Sequence, residues 1–393
     1  MDQSSLCKIV DSILPDAIAM RHQIHKNPEL AGQEFKTSSL IRESLASTAI
    51  ELQRPFLQTD VVGILQGSSM GKNVTLRADM DALPLCENSD KNYKSQIDGI
   101  MHGCGHDGHS AMLYGTALVL NQLRDTFEGS VRFVFQPGEE IKAMGKDLVE
   151  AGALLDPQPN AVFALHGQSK LPVGSIACKS GAITGAAGFF KITIKGRGGH
   201  ASSPENTIDP ILIGAKVVEN LQSIVSRVIP AKDPAVLSVC RFEGGLNGNV
   251  IPDQVEMEGT FRYLDPKLAD VFSGEIEKIV KGVCLANGAS YDLQCELPYI
   301  ATINSAEMVD MGFDITQQYF GQEAWHQIEH SSMGGEDFAY YLTDYPGALF
   351  RLGVGEDAPA LHNPSFDFND DAMRNGIIFM TAMTLNVLKD SKF

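Results

Sequence analysis

Residues 101–110 read MHGCGHDGHS: three histidines, a cysteine and an aspartate, interleaved with three glycines and almost no apolar side chain to bury them. Soft and titratable groups at this density are unusual in a globular chain, so the rest of the fold must either leave the stretch in solvent or give it partners. The surrounding pattern favours partners. A strand is expected at Asn73 to Asp81 (NVTLRADMD), a buried strand at SVRFVFQP stopped by Pro137, and a third at AVFALHG ending at His166; each is a run of β-branched and apolar residues broken by turn formers. Between them SAMLYGTALVLNQLRD reads as an amphipathic helix capped by Ser110. Strands that alternate with helices imply an α/β layer with a mostly parallel sheet.

In such sheets sites form beyond the carboxyl ends of the strands. Asp79 and Asp81 follow the first strand, Glu139 and Glu140 the second, and His166 closes the third, while Cys104 and His106 sit in the glycine-rich loop before a helix. Four segments thus deliver ligand-type side chains to one sheet edge. Thiolate, imidazole and carboxylate all bind divalent transition metals. Gly103, Gly105 and Gly108 let the loop wrap closely, and the helix start is expected to favour the Cys104 thiolate. One of the two adjacent glutamates could hold a metal while the other takes a proton from water that the metal acidifies. His102 and His109 are not assigned as ligands; both fit a supporting or structural role. Taken singly, each of these residues has a plainer reading, Cys104 as a small buried hydrophobe and Glu139–Glu140 as surface charge; it is their joint placement that points to a metal site.

The pattern changes near Gly181. Strand, long helix, two strands, second helix and closing strand follow in the order βαββαβ over 181–298, the split βαβ unit, after which α/β alternation resumes with helices near 305–320 and 370–389. The expected organisation is a catalytic domain in two parts, 1–180 and 299–393, with a ferredoxin-like domain inserted at 181–298. A formal charge of −18 argues against nucleic acid or an anionic membrane as a partner. No stretch reaches the roughly 18 apolar residues of a spanning helix, and the N-terminus lacks the features of a signal peptide. Seven scattered cysteines suit reduced thiols, so a cytoplasmic protein is expected.

RADMDALP, MHGCGHDGHSAM, FVFQPGEE, LHG, GRGGHASSP, GGLNGNVIPD, GTFR, GGEDFA and LHNPSFDFND occur in this order. The chain therefore resembles, over nearly its whole length, the amidohydrolase branch of the aminoacylase and carboxypeptidase metallopeptidases, which includes hippurate hydrolases, N-acyl-L-amino acid amidohydrolases and auxin-conjugate hydrolases. The N-terminal RHQIHKNPELAGQEFKT is similar to that family's opening segment. The resemblance implies that Cys104, His106, Glu140, His166 and His362 ligate two divalent ions, Mn2+ or Zn2+ with Co2+ or Ni2+ as further options. It implies Glu139 as general base and Asp81 as the residue that orients a neighbouring ligand. It also implies that His200 on the inserted domain reaches the partner subunit's site and polarises the scissile carbonyl, that Asn249 lies near the substrate carboxylate, and that the inserted domain forms a homodimer. His362 carries no pattern signal of its own. Without the resemblance, His200 and Asn249 read as loop residues, Asn249 as one that tolerates a left-handed backbone. Gly334 and Gly335 suit either a close backbone approach or a helix start capped by Asp337.

The implied activity is hydrolysis of N-acyl amino acids, hippurate-like or N-acetylated, to a carboxylic acid and a free amino acid. Alternatives are a deacetylase of the N-acetyl-diaminopimelate type, a dipeptidase, a non-catalytic metal-binding relative, and a thiol hydrolase using Cys104. Gly103 stands where the family often has alanine, IKAMGK follows the glutamate pair in place of GGA, and Glu205 replaces a histidine found in many relatives; these departures bear on substrate preference and not on the ligands.

Overall fold

The structure, a computed structural model, describes residues 3–390. The chain divides into two compact units: one runs up to Ile183 and adds Thr302–His330 and the chain from Asp337 onward, and the other comprises Thr184–Ala301 with Ser331–Glu336.

The first unit is built on an eight-stranded sheet. Its four central strands, Ser130–Gln136, Asn73–Asp79, Ala161–Ser169 and Gly347–Gly355, run parallel. Val61–Gln66 and Ile176–Cys178 add antiparallel strands outside them. Asn73–Asp79 and Ser130–Gln136 are buried at every residue, so even Asn73, Thr75, Arg77 and Asp79, which alternate with Val74, Leu76 and Ala78, have no solvent face. Helix Gln3–Lys26 buries Leu6, Val10, Ile13, Ala17, Met20 and Ile24, a three-to-four residue spacing that lines one face. It packs on His106–Leu123 and Asp370–Lys389, and those two also lie against the central strands.

Helix His106–Leu123 corrects an expectation. It starts four residues before Ser110, after Gly105 at φ 90°, and the Ser110 hydroxyl donates to the Asp79 carbonyl at 2.7 Å. Nor is it amphipathic: only Tyr114, Leu118, Asn121 and Gln122 escape burial. Gly105 supplies a left-handed turn that serine would resist, and a Cβ on Gly108 would fall 2.5 Å from the Phe368 ring. The loop therefore feeds straight into a helix sunk between sheet and helices.

A buried charge cluster anchors that helix start. The Arg21 guanidinium meets Asp107 at 2.9 Å and Asp370 at 2.7 Å, and also pairs with Asp367. His25 presents Nδ1 to Asp107 at 2.8 Å and Nε2 to Glu87 at 3.3 Å. Burial alone would lower its pKa, but Asp107 and the bond to Glu87 outweigh burial and raise it to about 9. Because the folded value lies above the ordinary 6.5, the stabilisation is complete below about pH 6.5 and is lost as pH rises through about 9, on the order of 3 kcal/mol in all. Chemical denaturation of the metal-free protein is expected to show this loss between pH 6.5 and 9, with His25→Gln flattening the profile. Equal slopes in wild type and variant would rule the assignment out.

The second unit has a four-stranded antiparallel sheet in the order Ala235–Glu243, Gln254–Tyr263, Ala186–Lys195, Ser290–Tyr299. Helices Pro210–Ser223 and Leu268–Ala286 lie in the βαββαβ chain order. Alternate residues Val255, Met257, Phe261 and Tyr263 join Ile213, Val217, Phe272 and Ile276 in a core of its own. Helix Pro210–Ser223 begins where its chemistry dictates: the Asp209 side chain accepts the Ile211 and Leu212 amides, with Pro210 in the first turn. A separate two-strand ladder joins Gly199–His200 to Val250–Ile251.

Candidate metal centre

The residues expected at a metal site in the first unit gather beyond the carboxyl ends of its parallel strands. Asp81 follows Asn73–Asp79, the short helical turn Glu139–Lys142 follows Ser130–Gln136 through Pro137 and Gly138, and His166 lies within Ala161–Ser169. That last strand runs three residues past its expected end. Cys104 and His106 come from the loop that enters helix His106–Leu123. His362, in the loop after Gly347–Gly355, adopts φ 63°, and its amide donates to the Gly103 carbonyl at 2.8 Å, which straps it to the same loop.

All five expected ligands meet. Donor atoms of Cys104, His106 and Glu140 lie within 4.8 Å of one another. Cys104 Sγ is 3.6 Å from His166 Nε2, and His362 Nε2 is 3.1 Å from Glu140 Oε1. Hydrogen bonds on the far side of two of the rings determine which nitrogen is left over. His106 Nδ1 faces the Asp81 carbonyl at 2.9 Å and its carboxylate at 3.2 Å, and His166 Nδ1 donates to the Gly167 carbonyl at 2.7 Å. Both rings therefore turn Nε2 inward, as ligating histidines do. His106 Nε2 and Glu140 Oε1 are buried and make no hydrogen bond among the described residues, although Glu140 Oε1 lies 3.1 Å from His362 Nε2, an ion pair when that ring is protonated. Buried lone pairs aimed at a common space, from sulfur, nitrogen and oxygen donors, fit a divalent transition metal.

Asp81 accepts more than the His106 ring. Its two carboxylate oxygens take the amides of Glu139 at 3.1 Å and Glu140 at 3.0 Å. It thus caps, from another strand, the turn that carries both glutamates. Glu139 is itself buried.

His109 has neither nitrogen to spare: Nδ1 donates to Asp79 at 2.6 Å and Nε2 accepts the Gly167 amide at 2.7 Å. Asp79 is held in turn by Arg77 at 2.7 Å, and Arg77 reaches Asp337 at 2.6 Å. Burial works against the Asp79 charge, but His106, Arg77 and His109 together hold its pKa well below the carboxylate range. Asp337 does not cap a helix; it opens the short 3-10 turn Asp337–Tyr340 and accepts Arg77, Gln136 and the Gly145 amide. Sequence reasoning missed this Arg77–Asp337 brace, although an arginine inside a fully buried strand was a signal. His102 is buried with neither ring nitrogen paired among the described residues, and burial lowers its pKa to about 4.

One electrostatic expectation is overturned. Burial, and after it Glu140, pushes the Cys104 thiol well above its ordinary value; desolvation outweighs the helix start. Metal uptake at Cys104 must therefore displace a proton, and it weakens as pH falls.

His200 and Asn249 belong to the second unit, where the small ladder brings them together. His200 pairs with Val250, and the Ala201 amide donates to the Asn249 carbonyl at 3.1 Å. Both are exposed, and Asn249 is not in the left-handed region. His200 Nδ1 accepts the Ser202 amide at 3.1 Å, which leaves its proton on Nε2.

Residues 75–386 match the family model described as Peptidase family M20/M25/M40. The chain belongs to this family. Curated relatives agree. An N-acetylcysteine deacetylase of Bacillus subtilis is 37% identical over 95% of this chain and 97% of its own length. An N-acyl-L-amino acid amidohydrolase of Geobacillus stearothermophilus is 42% identical over 78% of this chain and 83% of its own. Among solved structures, a Bacillus subtilis protein described as a dinuclear metal binding peptidase from M20 family superposes with a TM-score of 0.84 at 31% identity, covering 96% of this chain and 99% of that one. Within the M20 family the mixed α/β architecture is shared, and the converging ligand atoms fall within the matched span.

Proposed function

We propose that this M20 member is a metal-dependent amidohydrolase that cleaves N-acyl amino acids to a carboxylic acid and a free amino acid. The convergence of five ligand-type side chains, two of them with buried donor atoms that make no hydrogen bond among the described residues, beside the adjacent Glu139 carries the reading. In it Cys104, His106, Glu140, His166 and His362 hold two divalent ions. The thiolate leans towards Zn2+ and the carboxylate and water ligands towards Mn2+, with Co2+ and Ni2+ also suited to the donor set. When bound, such ions acidify water and polarise an amide carbonyl.

The chain's own residues do the rest. Asp81 fixes the His106 ring and the backbone of the glutamate pair. Glu139 takes a proton from the attacking water and returns it to the departing amine, so the amide nitrogen leaves neutral. His200, with its proton on Nε2, donates to the carbonyl oxygen of the partner subunit's site as negative charge develops there, and Asn249 beside it meets the substrate carboxylate. The inserted unit is the dimerisation domain in this reading: Ala235–Glu243 is an edge strand, and Ile211, Leu212 and Phe242 expose apolar surface on the same unit. The seven unpaired cysteines support a reducing, cytoplasmic location, and no described helix is long and apolar enough to cross a membrane.

The test is a substrate panel of N-acetyl amino acids, hippurate, N-acetyl-diaminopimelate and dipeptides, run on chelator-stripped protein and after adding back Mn2+ or Zn2+. Hydrolysis of N-acyl amino acids that disappears with EDTA and returns with stoichiometric metal is the expected outcome. Turnover confined to dipeptides or to N-acetyl-diaminopimelate would reassign the substrate. Metal binding with no turnover at all would make the protein a non-catalytic relative. Full activity after EDTA would remove the metal from the mechanism and favour a thiol route.

A further inference from the structure

The N-terminal segment 22–37, HQIHKNPELAGQEFKT, has no part in the chemistry above, yet it touches three of the segments that build the site. His25 holds Asp107, next to His106. The Glu29 carbonyl accepts the Ala82 amide at 2.8 Å, next to Asp81. Glu34 makes the third contact, and it is the most informative.

Glu34 is fully buried. Its Oε1 accepts the Gly32 amide at 2.8 Å and, from 104 positions away, the Gly138 amide at 3.0 Å. Its Oε2 is held by the Thr59 hydroxyl at 2.8 Å. Gly138 has φ 65°, and a Cβ there would fall 2.4 Å from Met144 Sδ, so this turn has little freedom to rebuild. Glu139 and Glu140 follow directly, with their amides on Asp81. Three consecutive amides, 138 to 140, are thus held by two buried carboxylates from different parts of the chain. A carboxylate needed only to shape the chain around it would be satisfied by the neighbouring Gly32 amide and the Thr59 hydroxyl, 25 positions away. Spending its second Oε1 lone pair on Gly138 ties the loop to the glutamate turn.

We propose that Glu34 is a positioning residue for the metal centre, which by accepting the Gly138 amide aims Glu139 and Glu140. This rests on the reading of Glu139 as base and Glu140 as ligand. Acceptance of the amide, and not negative charge, is the operative property. Glutamine can reproduce it, because its carbonyl oxygen keeps both backbone amides while its NH2 group donates to the Thr59 oxygen. Methionine fills the same space and accepts neither.

The experiment compares wild type, Glu34→Gln and Glu34→Met by calorimetric titration of the metal-free proteins with Mn2+ and Zn2+, and by kcat and KM on an N-acetyl amino acid. Glu34→Gln is expected within about threefold of wild type in metal affinity and in kcat. Glu34→Met is expected to lose about 10- to 100-fold in metal affinity, the usual cost of removing a residue that orients a ligand, with a comparable fall in kcat and KM nearly unmoved. Wild-type affinity and kcat in Glu34→Met, whatever its melting temperature, overturn the proposal, since a merely structural role moves stability alone. Glu34→Gln falling as far as Glu34→Met also overturns it, by making charge the operative property. Should Glu34→Met fail to fold, Thr59→Val frees the same carboxylate and is expected to bind metal about 10-fold more weakly; affinity within about threefold of wild type there overturns the proposal. Wild type that binds no metal is a different result: it sinks the proposed function itself.

Discussion

Glu139→Gln is expected to bind two metal ions as tightly as wild type and to lose about 10²- to 10⁴-fold in kcat, which corresponds to about 3 to 5 kcal/mol of barrier. The separation of the two effects follows from how the turn is held. Its backbone is held by Asp81, which takes the amides of residues 139 and 140. Glutamine has the same shape, so Glu140 keeps its place 3.8 Å from His106 Nε2. What the amide cannot do is accept a proton from water and hand it to the leaving nitrogen. The fall should therefore appear in kcat and kcat/KM together, with KM little changed, as for a group whose contribution arises in the transition state. Metal analysis by plasma emission and steady-state kinetics check both halves. Wild-type kcat would show that another group serves as base. Loss of one metal equivalent would show that Glu139 is a ligand, and the division of labour within the glutamate pair would have to be reversed.

That division shows what can be read without coordinates. The parallel core was legible from short runs rich in β-branched and aromatic residues broken by turn formers, as in VRFVF and AVFAL. Given those strands, placing Asp81, Glu139, Glu140 and His166 at one sheet edge required only the rule that sites lie beyond carboxyl ends. Cys104 and His106 were legible from the glycines around them. His362 was not. It stands in an irregular loop, and only the resemblance to a family pointed to it; its place in the site depends on a left-handed backbone and a bond to the Gly103 carbonyl, neither of which leaves a periodic trace. Ser110 failed as a cap for a related reason. A serine before an apolar run is a local signal, but burial of the preceding turn let the helix begin earlier, and the hydroxyl found a partner across the chain. The braces were hidden most completely. Arg77 and Asp337 are 260 positions apart, and Glu34 and Gly138 are 104 apart. Pairs of that kind are set by topology: Arg77 in a strand signals that some partner is needed, but one sequence does not say which.

His200→Ala is expected to lower kcat by about 10²-fold, the usual loss when one donor to a developing oxyanion is removed, and to leave metal content unchanged. Metal binding should not respond, because none of the five proposed ligands lies in the second unit. The informative step is to mix this variant with Glu139→Gln and let subunits exchange. If His200 serves the partner subunit's site, a mixed dimer contains one site with a normal base and a donor from across the interface, and one site with neither. Statistical exchange makes about half of the dimers mixed, so about a quarter of wild-type activity should return from two inactive proteins. If His200 serves its own subunit, each site in the mixed dimer lacks one group and nothing returns. A silent His200→Ala would end the carbonyl-polarising role altogether. Recovery on mixing would establish at once that the dimer exists, that its active sites are shared, and that the inserted domain was retained for catalysis as well as for assembly.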